Sequence, residues 1–380
     1  MKFLIIASYP DSILRFRGAL IQAIQDKGFE IHIVAPNLRD APEVRQQLET
    51  LGYIVHDIFM QRTGVNILAD AKTLRQLYIL IRNLQPDYVM GYTIKPVIYG
   101  SIAAHYAKVP HRFALITGLG YTFQSIEPGQ SRVSLFQKLI HWLYAYALKR
   151  VDVTFFQNSD DRTLFYQLGL LKEGAKSVVV NGSGVNILDY SITPIPYNDQ
   201  QEIVMHFLLI ARLLIDKGVR EFAAAAKRIK AQYPHAQFSL VGWIDDNPNA
   251  IHQSELDEWV RGGYIEFLGK LMDVRPAIAE SSVYVLPSYR EGVPCTVLEA
   301  MAMARPVITT DAPGCRETVE NGYNGFLVPI KSVDALVKAM EKFIAQPSLV
   351  TTMGTSARKM AEEKFDVHSV NQMMLKEMGL

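Results

Sequence analysis

Cysteine is scarce, with only Cys295 and Cys315 in 380 residues. Two are too few for a disulfide framework or a structural zinc site, and both read as reduced thiols of a cytosolic protein. No charge of one sign dominates either. Lys plus Arg total 39 against 38 Asp plus Glu, a formal net charge of +1, which argues against a dedicated nucleic-acid binder. Long apolar runs are missing as well. The N-terminal run ends at Ser8-Tyr9-Pro10-Asp11, short of a secretory h-region. No stretch approaches the ~18–20 apolar residues of a spanning helix. No Walker A pattern is present, and no His, Cys and Asp residues share metal-ligand spacing. These absences point to a cytoplasmic protein, at most peripheral on the inner face of the cytoplasmic membrane.

What is present is the composition of a folded chain, 49% apolar and 20% charged, long enough for two domains. Residues 2–8 form a continuous apolar run stopped by Pro10, as a buried parallel strand requires. Phe16, Leu20, Ile21 and Ile24 follow at helical spacing, and residues 30–35 read as a second strand. This βαβ rhythm continues to about residue 180. It breaks around Pro194 and Pro196, then restarts with a strand at 203–211. The expected organisation is a Rossmann-like domain over 1–190, a linker over 191–202, a second Rossmann-like domain over 203–365, and a tail over 366–380 crossing back to the first domain. The fold class is α/β, two doubly wound sheets facing across a cleft, with ligand at the carboxyl ends of their strands.

Two windows carry chemistry. In Tyr289-Arg290-Glu291-Gly292-Val293-Pro294-Cys295, an apolar strand gives way to a helix expected over 294–304, with Pro294 in its first turn. Gly292 allows close backbone approach, and the N–H groups of Gly292 and Val293 at a helix start form an anion site. Glu291 precedes that site and Glu299 follows it within the helix. Carboxylates on both sides of an anion site suit a diphosphate flanked by hydroxyl-bearing groups, as in a nucleotide sugar. An ordinary helix start with a solvated Glu would use the same residue types. The second window, Ala211-Arg212-Leu213-Leu214-Ile215-Asp216-Lys217-Gly218, brings two cations to the end of a buried strand. Arg212 and Lys217 there would neutralise a departing diphosphate.

Ala211-Arg212…Lys217-Gly218, Asn181-Gly182-Ser183-Gly184-Val185-Asn186 and the spaced pair Glu291…Glu299 together resemble the retaining glycosyltransferases of family 4, which have the GT-B fold. The resemblance spans nearly the whole chain, with Leu240-Val241-Gly242, Phe267-Leu268-Gly269 and Asn324-Gly325-Phe326-Leu327-Val328 as further landmarks in order. Thr93-Ile94-Lys95-Pro96, Thr117-Gly118-Leu119-Gly120-Tyr121-Thr122-Phe123 and Phe156-Gln157-Asn158-Ser159-Asp160-Asp161 are similar to the branch that includes bacterial N-acetylgalactosaminyltransferases acting on undecaprenyl-diphosphate-linked sugars.

The resemblance implies a UDP-sugar donor, a lipid-linked or saccharide acceptor, transfer with retention, and neither metal nor cofactor. It implies that Arg212 and Lys217 hold the donor diphosphate, Glu299 the ribose and Glu291 the sugar hydroxyls, with Gly292, Val293, Gly242 and Leu298 completing the donor side. The chain contains no Asp-X-Asp, the metal and diphosphate clamp of the other common glycosyltransferase fold. Many relatives have a first-domain His near the donor sugar. None is assignable here, and Thr117 and Gly118 end the strand where it is expected. His105 and His111 read as structural. The first-domain candidates are therefore Thr93, Lys95, Thr117, Gly118 and Tyr121, and Arg17 at the start of the first helix, expected on a phosphate of acceptor or donor or in a surface ion pair. Residues 132–150 mix basic and aromatic side chains, as either a core helix with a solvated side or a face for anionic lipid.

Two other readings use the same architecture. A nucleotide-sugar epimerase would need acid/base carboxylates and histidines at the sugar carbon, which are not locatable. A catalytically silent nucleotide-sugar-binding protein is opposed by the intact set Arg212, Lys217, Glu291 and Glu299.

Overall fold

The computed structural model describes residues 1–61, 66–119, 135–245 and 247–380. The chain divides into two compact units, residues 1–183 with 368–380, and residues 184–367. The segment 191–202 is counted with the second unit.

Seven parallel strands form the sheet of the first unit: β1 (Lys2–Ile6), β2 (Glu30–Ala35), β3 (Ile54–Asp57), β4 (Tyr88–Tyr92), β5 (His111–Ile116), β6 (Val153–Phe156) and β7 (Ser177–Val179). Their order is β3-β2-β1-β4-β5-β6-β7. Helices α1 (Ser12–Asp26), α2 (Pro42–Thr50), α3 (Ile67–Leu84), α4 (Ser101–Tyr106), α5 (Leu135–Leu148) and α6 (Ser159–Gln167) accompany it. The central strands are apolar throughout because both faces are covered: Leu4 and Ile6 pack with Leu77 and Ile81 of α3, while Phe3 and Ile5 pack with Leu20, Ile21 and Ile24 of α1. Asn66 caps α3 by accepting from the N–H groups of Leu68 and Ala69. A π-helical turn, Pro96–Gly100, leads directly into α4.

In the second unit, β8 (His206–Ile210), β9 (Gln237–Val241), β10 (Glu266–Gly269), β11 (Val283–Leu286), β12 (Val307–Thr310) and β13 (Gly325–Val328) are parallel, in the order β10-β9-β8-β11-β12-β13. Helices α7 (Val219–Gln232), α8 (Gln253–Arg261), α9 (Arg275–Glu280), α10 (Cys295–Ala302), α11 (Val333–Ala345) and α12 (Ser348–Lys364) follow, and α13 spans Val367–Met378. Phe222 and Ile229 of α7 meet Met340 and Phe343 of α11 on one side of the sheet, and Val297 and Met301 of α10 meet Ala357 of α12 on the other. From α13, Val370, Met374 and Met378 join the core of the first unit. Arg305 is fully buried and donates to the carbonyls of Ser281, Ala279, Thr193 and Pro194. Burial lowers its pKa to about 10, so it stays charged at neutral pH. No helix among the described residues is long and apolar enough to cross a membrane.

In both sheets the strand order reverses next to the first strand, between β1 and β4 and between β8 and β11. Such switch points open crevices at the carboxyl ends of the strands. In each unit, therefore, the residues just past these strands are the candidates for a site.

His206 and His56 are among the histidines through which stability is expected to depend on pH. His206 is buried, its Nδ1 2.8 Å from the Glu280 carbonyl and its Nε2 2.8 Å from Ser239 Oγ, and burial lowers its pKa. His56 is lowered by burial and then by neighbouring His32, with which it shares a 3.0 Å contact. Below the ordinary value near 6.5 the unfolded chain binds protons that the folded chain refuses, so stability is lost as pH falls from there. The melting temperature should fall between pH 7 and 5, with a shallower slope in His206→Gln. An unchanged slope would show that His206 titrates alike in both states.

Candidate active site

Three loops meet at the switch point of the second unit. The chain leaves β8 through Ala211-Arg212-Leu213-Leu214, makes a 3₁₀ turn at Ile215–Lys217, and enters α7 at Gly218. Gly218 has φ +69°, and a Cβ there would lie 2.2 Å from the Pro287 carbonyl oxygen. Glycine thus lets the loop after β8 rest on the loop after β11. Tyr289 N–H donates to the Asp216 carbonyl at 2.9 Å across the same junction.

This seating brings Lys217 to Glu291. The Nζ lies 2.5 Å from Oε1, and Ser288 Oγ donates to the same oxygen at 2.7 Å. The two side chains are 16% and 14% exposed, so the pair is far less screened than a surface pair. Glu291 N–H donates to the Pro313 carbonyl at 2.9 Å, tying this loop to the one after β12. Arg212 is held from the other side, its Nη1 donating to Asp245 Oδ2 at 2.8 Å.

Pro294 sits at the N-cap in an extended conformation, φ −73° and ψ 113°, and α10 begins at Cys295. The helix expected over 294–304 is thus shorter at both ends, because Pro294 adopts the extended geometry of a cap residue and the backbone turns left-handed at Ala304 (φ +62°). Val293 is buried and Glu299, on α10, is 8% exposed. Leu298 has no exposed surface and packs in the core, so its side chain serves the placement of α10. From β11, the Tyr284 hydroxyl lies 3.1 Å from the Ile210 carbonyl and 2.7 Å from Thr296 Oγ1. Burial raises its pKa, the Thr296 bond opposes this, and Glu299 adds to the rise. Burial, and after it Glu291, pushes the Cys315 thiol up to about 12, which keeps it protonated and unreactive at neutral pH.

The structure therefore brings Arg212, Lys217, Glu291, Gly292, Val293 and Gly242 to one edge of one sheet, with Glu299 on the helix behind. Sequence reasoning missed Asp245, Ser288 and the Trp243–Lys270 contact, where Nζ stands 5.0 Å from the ring centroid. Asp245 was accessible to the logic that selected Arg212, as a charged residue just past a buried strand. Among the described residues, no three His, Cys, Asp or Glu side chains are arranged to hold a metal ion.

At the switch point of the first unit, Ser8 Oγ and Thr93 Oγ1 are 2.8 Å apart, and Thr93 holds φ +69°, a strained value for a β-branched residue. Arg17 is 3% exposed, so it is no surface ion pair, and its guanidinium stands 5.6 Å from the Tyr92 ring centroid. With its amide oriented to suit its neighbours, Gln157 accepts from Arg17 Nη2 at 3.3 Å and donates to the Thr117 carbonyl at 3.1 Å. Lys95 Nζ donates to Asp70 Oδ1 at 2.7 Å. Thr117 and Gly118 lie just past β5. Tyr121 and residues 132–134 lie outside the described residues.

Comparisons with known proteins identify the family. Residues 9–158 match the family described as glycosyl transferase 4-like, and residues 205–346 match glycosyl transferases group 1. The chain is 30% identical over 376 residues to N,N'-diacetylbacillosaminyl-diphospho-undecaprenol alpha-1,3-N-acetylgalactosaminyltransferase of Campylobacter jejuni, covering 96% of this chain and 95% of that one. It is 26% identical over 313 residues to UDP-Gal:alpha-D-GlcNAc-diphosphoundecaprenol alpha-1,3-galactosyltransferase of Escherichia coli, with 80% and 78% covered. Among solved structures, Anabaena HepE in complex with UDP is similar at TM-score 0.77 and 18% identity over 100% of both chains, a likeness that bears on the fold.

The junction at Gly218 is testable without any substrate. Gly218→Ala puts a Cβ against the Pro287 carbonyl at a left-handed φ and should cost ~1–3 kcal/mol in denaturant unfolding. A variant as stable as the parent would mean that the two loops do not abut.

Proposed function

This chain belongs to the glycosyltransferases of the 4-like and group 1 families, with the GT-B fold, and on that premise we propose that it moves a hexose or N-acetylhexosamine from a UDP-sugar to a polyprenyl-diphosphate-linked or saccharide acceptor in surface glycan synthesis. The observation that carries this is the convergence of Arg212, Lys217 and Glu291 with the backbone of Gly292 and Val293 at one switch point. Supporting it, the Campylobacter relative is named for a diphospho-undecaprenol acceptor and the Escherichia relative for UDP-galactose. HepE, similar in fold, was solved with UDP.

In this reading the bond between the anomeric carbon and the diphosphate oxygen breaks, and its electron pair leaves on that oxygen. Arg212, Lys217 and the amides of Gly292 and Val293 stabilise the charge as it develops. The acceptor oxygen attacks from the face the diphosphate leaves, and its proton passes to the departing phosphate, so configuration is retained and no metal is required. Glu291 accepts from donor-sugar hydroxyls while Lys217 fixes its carboxylate, and Glu299 accepts from the ribose. Leu298 and Gly242 act through the placement of α10 and of the loop after β9. In the first unit, Arg17, Thr93, Lys95, Thr117, Gly118 and Tyr121 form the acceptor-side set, with Arg17 directed to a phosphate.

A membrane surface is part of this reading, because a polyprenyl-linked acceptor lies in one. Trp142 is 58% and Tyr106 56% exposed. Trp142 stacks on Tyr146 at 5.3 Å, and the Arg150 guanidinium lies 3.5 Å from the Tyr146 ring centroid. Aromatic rings beside cations suit the headgroup region of an anionic bilayer.

Two experiments test the proposal. Thermal-shift screening of nucleotide sugars followed by transfer assays should identify a UDP-sugar, with Arg212→Ala and Lys217→Ala each lowering kcat by ~10²-fold or more and product NMR showing the donor's anomeric configuration. Wild-type turnover in both variants would contradict the mechanism. Flotation with anionic vesicles should show salt-sensitive binding that Trp142→Ala weakens. No binding at low salt would remove the membrane face.

A further inference from the structure

We propose that Asp245 is a positioning residue for the transfer reaction, aiming the Arg212 guanidinium at the donor diphosphate by holding one of its edges. The proposal rests on the reading of Arg212 as a diphosphate ligand.

Backbone structure fixes the two residues relative to each other. Ala211 N–H donates to the Val241 carbonyl at 3.1 Å and Leu213 N–H to the Trp243 carbonyl at 2.9 Å, so Arg212 is bracketed by bonds to the segment that carries Asp245. The far side of that segment returns to the same loop: Ile251 N–H donates to the Leu213 carbonyl at 3.0 Å, and Ile215 N–H to the Asn249 carbonyl at 2.9 Å. At Gly242 the approach is so close that a Cβ would sit 1.9 Å from the Ala211 carbonyl oxygen. Two loops joined this way leave Asp245 little freedom to drift from Arg212. The pair is also partly withdrawn from water, at 34% exposed for Arg212 and 18% for Asp245.

The division of the guanidinium follows. Arginine has five N–H donors in a rigid planar fork. Among the described residues, the one hydrogen bond recorded for the Arg212 side chain leaves from Nη1 to Asp245. Anchoring one N–H limits the swing of the plane, so the remaining donors present a narrowed range of directions to a second anion. A carboxylate beside a diphosphate site also has a cost, since its charge opposes the ligand's. Aiming and repulsion therefore predict opposite results when Asp245 is removed, and transfer that depends on geometry favours aiming.

Full-length protein, the UDP-sugar that gives turnover, and UDP as the binding probe suffice for the test. Asp245→Ala should lower kcat by ~10–100-fold, the scale of a misaimed contact, while the melting temperature stays at that of the parent. Asp245→Asn keeps an oxygen that can accept from Nη1 and should recover most of the loss. If the alanine variant does not fold, Asp245→Ser, whose side chain is too short to reach Nη1, should show the same loss. In the Arg212→Ala background, Asp245→Ala should cost nothing further, because the residue it aims is gone. Wild-type turnover in Asp245→Ala, additive losses in the double variant, or tighter UDP binding and faster turnover would each overturn the proposal. Wild-type turnover in Arg212→Ala would overturn it together with the reading of Arg212. Additive losses with an impaired Arg212→Ala would overturn the positioning role alone.

Discussion

The contact between Lys217 Nζ and Glu291 Oε1, at 2.5 Å, is what the rest of the site depends on. It joins the loops that leave the two strands on either side of the switch point, and it forms only because Gly218 lets those loops touch. Breaking such a partly buried pair leaves an uncompensated charge, which is costly in itself. In the proposed mechanism function and local stability are therefore not separable at these two positions, and a loss of activity from either acquires meaning beside a measurement of folding.

Each of the two cations singled out in the sequence is already paired with a carboxylate. Arg212 and Lys217 stand against Asp245, Glu291 and Glu299. A diphosphate would thus be held by direction rather than by net charge, through N–H groups aimed at one place and carboxylates kept aside by their own bonds. Preorganised donors of this kind are favoured where reorganisation would otherwise slow the reaction. Ser288, donating to the Glu291 oxygen that Lys217 also engages, is part of that arrangement.

The sheets were legible in the sequence because buried parallel strands are apolar on both faces, so residues such as Phe3–Ile6 and Phe207–Ile210 read as continuous runs. Arg212, Lys217 and Glu291 were legible because a charge just past such a run stands at a strand's carboxyl end. What stayed hidden depends on which strands become neighbours. Asp245 follows β9 and could be picked out like Arg212, but its pairing with Arg212 could not, because nothing local shows that β9 lies beside β8 in the register Ile210 to Val241. Pro294 was misread by one position because a cap and a first turn favour the same residue. The burial of Arg17 was hidden for a like reason: its position on α1 faces the sheet beside Leu20 and Ile21, where an apolar residue is the ordinary occupant.

The same topological rule produces different chemistry in the two units. At the first switch point, Ser8 and Thr93 offer neutral hydroxyls, while Lys95 is drawn to Asp70 on α3 and Arg17 lies between Tyr92 and Gln157. At the second, charged groups stand on the loops after β8, β9 and β11. A charged side chain can be aimed only where the backbone does not yield, and the second unit meets that condition by bringing main chain against main chain at Gly218 and Gly242. With the loops fixed in this way, side chains become adjustable one at a time. That is why removing one carboxylate at position 245 should turn a guanidinium without unseating the loop that carries it.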